Sequence, residues 1–242
     1  MSKLHTKSIA TGLLALAVAL LSAFSGPRPD AQRETRSVGA FTDVNLGGSA
    51  HVVLRQGSPQ SVVVEASPEA LADFETVVKD QQLRLGFRNS GGSMFRYRDR
   101  GPVTVYVTAP TLTALRVGGS GKFEVDGPLK ADALTLAISG SGQLQVPQLT
   151  ATSLETTLSG SGTVRVSGTC PRMEVRISGS GQVQARDLRA ETCKARISGS
   201  GNAHVYASKA ADASLSGSGN VYVAGGGQLS SSVSGSGRVS KE

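Results

Sequence analysis

The chain has 242 residues with a formal net charge of +7, 38% apolar residues, 30 Gly, six Phe, four Tyr and no Trp. That composition excludes a thick core of large side chains and suits a thin one of Val, Leu, Ile and Ala. Basic residues are scattered among acids rather than gathered in a stripe, so the charge implies modest anion attraction and not a nucleic-acid surface.

At the N-terminus, Lys3 and Lys7 precede a run without charge from Ile9 to Phe24. The run falls short of the roughly 20 residues a membrane span needs and fits the core of a signal peptide. Ala23-Phe24-Ser25 sets small residues before Gly26, so residues 1–25 are expected to be removed, leaving a linker over 26–35. An uncleaved anchor is the alternative. No Cys lies near the cleavage site, so a lipoprotein anchor is not expected. The protein is thus read as exported (periplasmic, outer-surface or secreted), with no transmembrane segment in the mature chain.

Residues 36–242 are read as one domain, of which 36–118 is the less regular part. Alternation in "AHVVLRQG", "QSVVVEA" and "QLRLGF" predicts strands that begin the structure and cap it, and Ser67-Pro68-Glu69 predicts an N-cap with Pro opening a short helix. "NSGGSMFRYRDRGP", 89–102, interrupts the pattern. Arg96, Arg98 and Arg100 alternate around Tyr97, either as a solvated loop or as a patch for an anionic group, since Arg donates in pairs and Tyr offers a ring face.

From 119 onward the sequence repeats. Gly-Ser-Gly begins at Gly119, Gly140, Gly160, Gly179, Gly199, Gly217 and Gly235, at intervals of 18 to 21 residues, with "LGGSAHVVL" as a cousin upstream. An apolar residue precedes each mark (Val117, Ile138, Leu158, Ile177, Ile197, Leu215, Val233), and apolar residues at a spacing of two follow it. That period belongs to strands with one buried face. Units of this length bury themselves by stacking on the next, which predicts an all-β parallel β-helix of about 18–21 residues per coil with an irregular β cap at its N-terminal side. A propeller blade needs about 40 residues and is excluded by the period.

Within each mark both glycines are expected to face a narrow interior and the serines to face water. Stacking then aligns Ser141, Ser161, Ser180, Ser200 and Ser218 into an outward ladder, either a consequence of shape alone or a surface that docks a repetitive polymer such as a glycan.

The order "RSVGAFTDVNLGGSAHVVLRQGSPQSVVVEASPEAL", "LRLGF", "VTVYVTAPTLTALRVGGSGKFEV" and the recurring "SGSG" resembles the auto-transporter adhesin, head GIN domain family of exported bacterial proteins. The resemblance implies a right-handed parallel β-helix. The Gly-Ile-Asn tripeptide is absent here, with Gly201-Asn202 and Gly219-Asn220 its nearest echoes, and no stretch reads as a β-barrel translocator.

Catalytic, metal-binding and cofactor-binding residues are not indicated. His51 and His204 lie far apart, Asp does not recur in the repeat, and no G-x-S-x-G elbow is present. Glu124, Glu155, Glu174 and Glu191 are expected at different coil positions, so they form no carboxylate column of the kind glycan hydrolysis needs. Cys170 and Cys193 are expected on adjacent coils but out of register, as buried thiols rather than a bridge. Two functions stay open: a non-enzymatic envelope or surface module for a glycan or another cell-surface component, and a glycan-active enzyme with a dispersed site. A flat face of Ser, Gln, Asn and Thr favours the first, a carboxylate-lined groove the second.

Overall fold

The computed structural model describes residues 31–88 and 101–242. In chain order, β1 (Gln32–Thr35), β2 (Asp43–Gly48), β3 (His51–Gln56) and β4 (Ser61–Ala66) precede helix α1 (Pro68–Asp73). Then come β5 (Phe74–Lys79), β6 (Gln82–Phe87), β7 (Thr104–Ala109), β8 (Ala114–Gly119) and β9 (Lys122–Val125). The long strands β10 (Pro128–Gly140) and β11 (Gln143–Gly160) bend around corners of the molecule, and β12 (Thr163–Thr169), β13 (Arg172–Gly179), β14 (Gln182–Ala185) and β15 (Leu188–Arg189) follow. The last coils are β16 (Thr192–Gly199), β17 (Asn202–Tyr206), β18 (Ala210–Gly217), β19 (Asn220–Ala224), β20 (Gln228–Ser234) and β21 (Arg238–Lys241).

Pairing between repeats is parallel and in register, which makes the fold a β-solenoid. The strands before the marks stack as one face: β6, β2, β8, the end of β10, the end of β11, β13, β16, β18 and β20. The strands after the marks form a second face: β7, β3, β9, the start of β11, β12, β14, β17, β19 and β21. A short third face joins the start of β10, the middle of β11, the end of β12 and β15.

The N-terminal end is built differently. β2 and β3 form a coil that lies between β6–β7 and β8–β9, although β6 and β7 come later in the chain. The chain therefore makes one coil, turns back to build a covering layer, and then resumes. Antiparallel β1–β4–β7 and the β5–β6 hairpin complete that layer. Helix α1 begins where its sequence predicts, with Ser67 as N-cap accepting from the Ala70 amide at 3.2 Å, and its Leu71 is buried.

Alternation places apolar side chains inward. Leu144, Val164, Val183, Ala203 and Val221 stack coil on coil and are fully buried. Each large member contributes up to about 1.5–3 kcal/mol of burial, which offsets the cost of ordering a chain rich in glycine. Cys193 stands in such a column between Met173 and Ala211, and burial pushes its thiol up to about 12. Cys170 is buried too, and both are free thiols.

The glycines of the marks correct one expectation. The second glycine is buried in every mark but the last, where Gly237 is half-buried: a Cβ on Gly181 would stand 2.4 Å from Leu158 Cδ2. The first is half-buried, except at the exposed Gly235, and points along the axis rather than into the interior. Gly179 has a φ of +122°, and its Cβ would lie 2.6 Å from the Gly160 carbonyl oxygen of the preceding coil. It serves a turn in left-handed backbone that stacks directly on its copy.

Candidate functional site

Two outward columns cross the second face. The first runs Lys122, Gln143, Thr163, Gln182, Asn202, Asn220 and Arg238, and the second runs Glu124, Gln145, Arg165, Gln184, His204, Tyr222 and Ser240. Strand alternation fixes these directions: each residue flanks an inward apolar one, and the parallel register sets it above its equivalent. Side chains within the columns hold one another. Asn220 Nδ2 donates to Asn202 Oδ1 at 3.0 Å, and Arg165 Nε donates to Gln184 Oε1 at 2.7 Å. The His204 and Tyr222 rings stack at 4.5 Å and 15°.

The face ends in a groove because one coil is short. Val146 pairs with Val166 and Leu149 with Gly168, so Pro147 and Gln148 together oppose Ser167 alone. This β-bulge draws the corner inward. Gly168 makes it possible, with a φ of +123° and room for no Cβ, which would lie 2.0 Å from the Leu149 carbonyl oxygen. The resulting groove of about 380 Å³ is lined by Glu124, Gln145, Pro147, Arg165, Gln184 and Asp187, among others. Ser167 Oγ donates to the Pro147 carbonyl at 2.5 Å and braces its wall.

At the Glu124 end, Lys122 Nζ lies 2.6 Å from the Glu124 carboxylate and His51 Nε2 lies 3.5 Å from it. The Lys122 hydrogen bond holds the Glu124 carboxyl below its usual range. Desolvation, reinforced by Lys122, keeps His51 below the ordinary histidine value. At the other end Glu242 faces His204 Nδ1 at 3.6 Å and Arg186 Nε at 3.4 Å.

Of the residues singled out from sequence, Ser141, Ser161, Ser180, Ser200 and Ser218 are all exposed on one ridge. Their amides donate to Gly119, Gly140, Gly160, Gly179 and Gly199 of the preceding coils. Gly48, Gly119, Gly140, Gly160, Gly179, Gly199 and Gly217 pair in succession, and Gly235 packs on Gly217. Arg96, Tyr97, Arg98 and Arg100, like residues 1–25, for which a signal peptide is expected from sequence, lie outside the described residues. The carboxylates need a correction: Glu155 and Glu174 stand in register, because they lie equally far before Gly160 and Gly179. Arg176 bridges both, and Arg196 pairs with Glu174 at 2.9 Å, so they form an exposed ion-pair ladder on the first face. Glu124 lies on the second face, and Glu191 pairs with Lys209 at 2.7 Å.

The polar columns and the groove were not foreseen from the sequence, although two signals announce them. The residues first and third after each second glycine are always polar, and the interval from Gly160 to Gly179 is shorter than its neighbours. Among the described residues no group of His, Cys, Asp and Glu is arranged to hold a metal ion, and no helix is long and apolar enough to cross a membrane.

Fold and surface together define a parallel β-solenoid built on stacked glycine turns with a polar, grooved face. The chain belongs to the family described as "Putative auto-transporter adhesin, head GIN domain", whose model matches residues 40–227. Solved structures share the fold. A putative adhesin from Bacteroides fragilis is similar with a TM-score of 0.82 at 23% identity, over 89% of this chain and 99% of that one. A putative lipid binding protein from Parabacteroides distasonis gives 0.72 at 22% identity, over 88% and 97%. A putative adhesin from Parabacteroides merdae gives 0.69 at 18%, over 88% and 97%. Among curated proteins nothing matches.

Proposed function

We propose that this protein is an exported, non-enzymatic module of the cell envelope or surface that binds a glycan on its second face. The observation that carries the reading is the pair of in-register polar columns, one of Gln, Thr and Asn between Lys122 and Arg238 and one mixing Glu, Gln, Arg, His, Tyr and Ser, which offer donors and acceptors at every coil, as a polyhydroxylated ligand requires. Family membership supports a surface-binding role, since the family and two of the related structures are described as adhesins. The signal-peptide pattern of residues 1–25 supports export.

The groove also supplies the one observation that favours a glycan-active enzyme, because Glu124 and Asp187 both line it. Glycan hydrolysis needs a protonated carboxylic acid beside the scissile bond. The Lys122 contact works against that role for Glu124 by favouring its ionised form.

The test is retention of the mature chain on a glycan array and on cell-wall material, with three variants. Gln182→Ala/Gln184→Ala/Asn202→Ala on the second face is expected to lose binding. Ser161→Lys/Ser180→Lys/Ser200→Lys on the ridge and Arg96→Ala/Arg98→Ala/Arg100→Ala are expected to retain it. Salt-sensitive binding lost only in the arginine variant would move the site to Arg96, Arg98 and Arg100. Release of reducing ends, abolished by Asp187→Asn, would establish the enzyme instead.

A further inference from the structure

Resting on the glycan reading, we infer that the ligand is a neutral, linear chain lying along the solenoid axis, across the strands, from the Arg165 groove to the His204–Tyr222 stack. Along any one strand the second face offers two or three outward side chains, Gln143 and Gln145 before the corner at Pro147, or Asn202, His204 and Tyr206 on β17. Along the axis the same pair of positions recurs in every coil. The path from Gln145 to Tyr222 covers roughly 20 Å at the ~4.8 Å spacing of neighbouring strands. A repetitive polymer therefore finds its longest run of equivalent contacts in that direction.

Charge selects the polymer. In the first column the charged residues stand at the two ends, Lys122 and Arg238, and the rungs between are amides and a hydroxyl. In the groove, Glu124 is already matched by Lys122, and Arg165 shares the lining with Asp187. A polyanion would find no basic track here, whereas hydroxyls can donate to Asp187 and accept from Arg165. The path is also organised in advance. The Asn202–Asn220 and Arg165–Gln184 bonds and the stacked rings restrict side chains that a ligand would otherwise have to order.

The test is calorimetric titration of the purified protein with β-1,4-linked glucose and β-1,4-linked N-acetylglucosamine oligomers, from disaccharide to octasaccharide. Axial binding is expected to raise affinity about tenfold or more between trisaccharide and hexasaccharide, then level off once the path is filled. Gln145→Ala combined with Tyr222→Ala, at opposite ends, is expected to bring the hexasaccharide down to trisaccharide affinity with an unchanged circular dichroism spectrum. Affinity already flat at the trisaccharide would overturn the axial orientation and leave the glycan reading standing. A polyuronate series binding more tightly than both neutral series would overturn the neutral ligand. Absence of binding at every length would overturn both inference and reading.

Discussion

Gly179 and Gly181 show how a single residue position constrains the coil. A side chain on Gly179 needs a left-handed φ and a contact of 2.6 Å with a backbone oxygen; one on Gly181 has ordinary backbone but meets Leu158 at 2.4 Å and the Gly162 carbonyl oxygen at 2.8 Å. The backbone oxygens of Gly160 and Gly162 cannot withdraw without moving a coil, so Gly179→Val and Gly181→Val should each destabilise by about 1–3 kcal/mol or more. Ser180→Ala, on an exposed position between them, should stay within about 0.5 kcal/mol. Urea melts giving the reverse order would refute these assignments. His51 governs a different property. Desolvation and Lys122 lower its pKa in the fold, so below about pH 6.5 the unfolded chain takes up the proton first. Stability therefore falls on acidification through that window, and the loss is complete once the pH lies below the folded value. Glu124, depressed by Lys122, contributes stability that is present above its unfolded value and lost as the pH falls through its folded one. Both act in the same direction at successive pH ranges. His51→Gln should flatten the decline between about pH 7 and 5 while leaving the Glu124 part at lower pH. An unchanged slope in denaturation midpoints over that window would show that His51 does not carry it.

At the scale of strands and turns, what can be read in advance depends on how tightly the fold restricts a position. Inward residues such as Leu144, Val164 and Val183 must be apolar and must fit, so their spacing of two exposes both the strands and their register. Outward residues only have to tolerate water. Gln143, Thr163 and Asn202 share a column without sharing an identity, and only counting from the marks brings them together. The same counting sets Glu155 on Glu174, which were expected at different coil positions. The bulge at Pro147–Gln148 is legible only as one short interval, because its cause is a missing residue opposite. The placement of β2–β3 between β6–β7 and β8–β9 is not legible at all: it depends on non-local pairing in a stretch without a repeat. Thr156 departs from pattern in the other direction. It stands between Leu136 and Val175 in an inward column, fully buried, and its hydroxyl has no hydrogen-bond partner among the described residues.

Over the whole molecule the core thins from one end to the other. One inward column reads Leu136, Thr156, Val175, Ala195, Ala213 and Ser231, and the intervals between marks fall from 21 residues to 18 along the same direction. Large side chains cluster at the early end, where Phe74, Leu71 and Phe123 are buried beneath or beside the covering layer. In a solenoid each coil is held by its own packing and by the interfaces with its neighbours, so local stability follows local burial. Val233 is 44% exposed, whereas its equivalents Leu215 and Ile197 are each 2% exposed. The free energy of local opening should therefore be smallest in the coil of β20 and β21 and should rise toward β8–β11. Amide hydrogen exchange tests this directly: Gln228–Ser234 and Arg238–Lys241 should lose protection first, Ala210–Gly217 next, and the amides around Leu136 and Leu144 last. Equal protection along the axis would mean that the coils open as a single cooperative unit despite the taper. Earlier exchange in β2–β9 than in β20–β21 would mean that the covering layer, with its antiparallel pairings and short helix, is the weaker end.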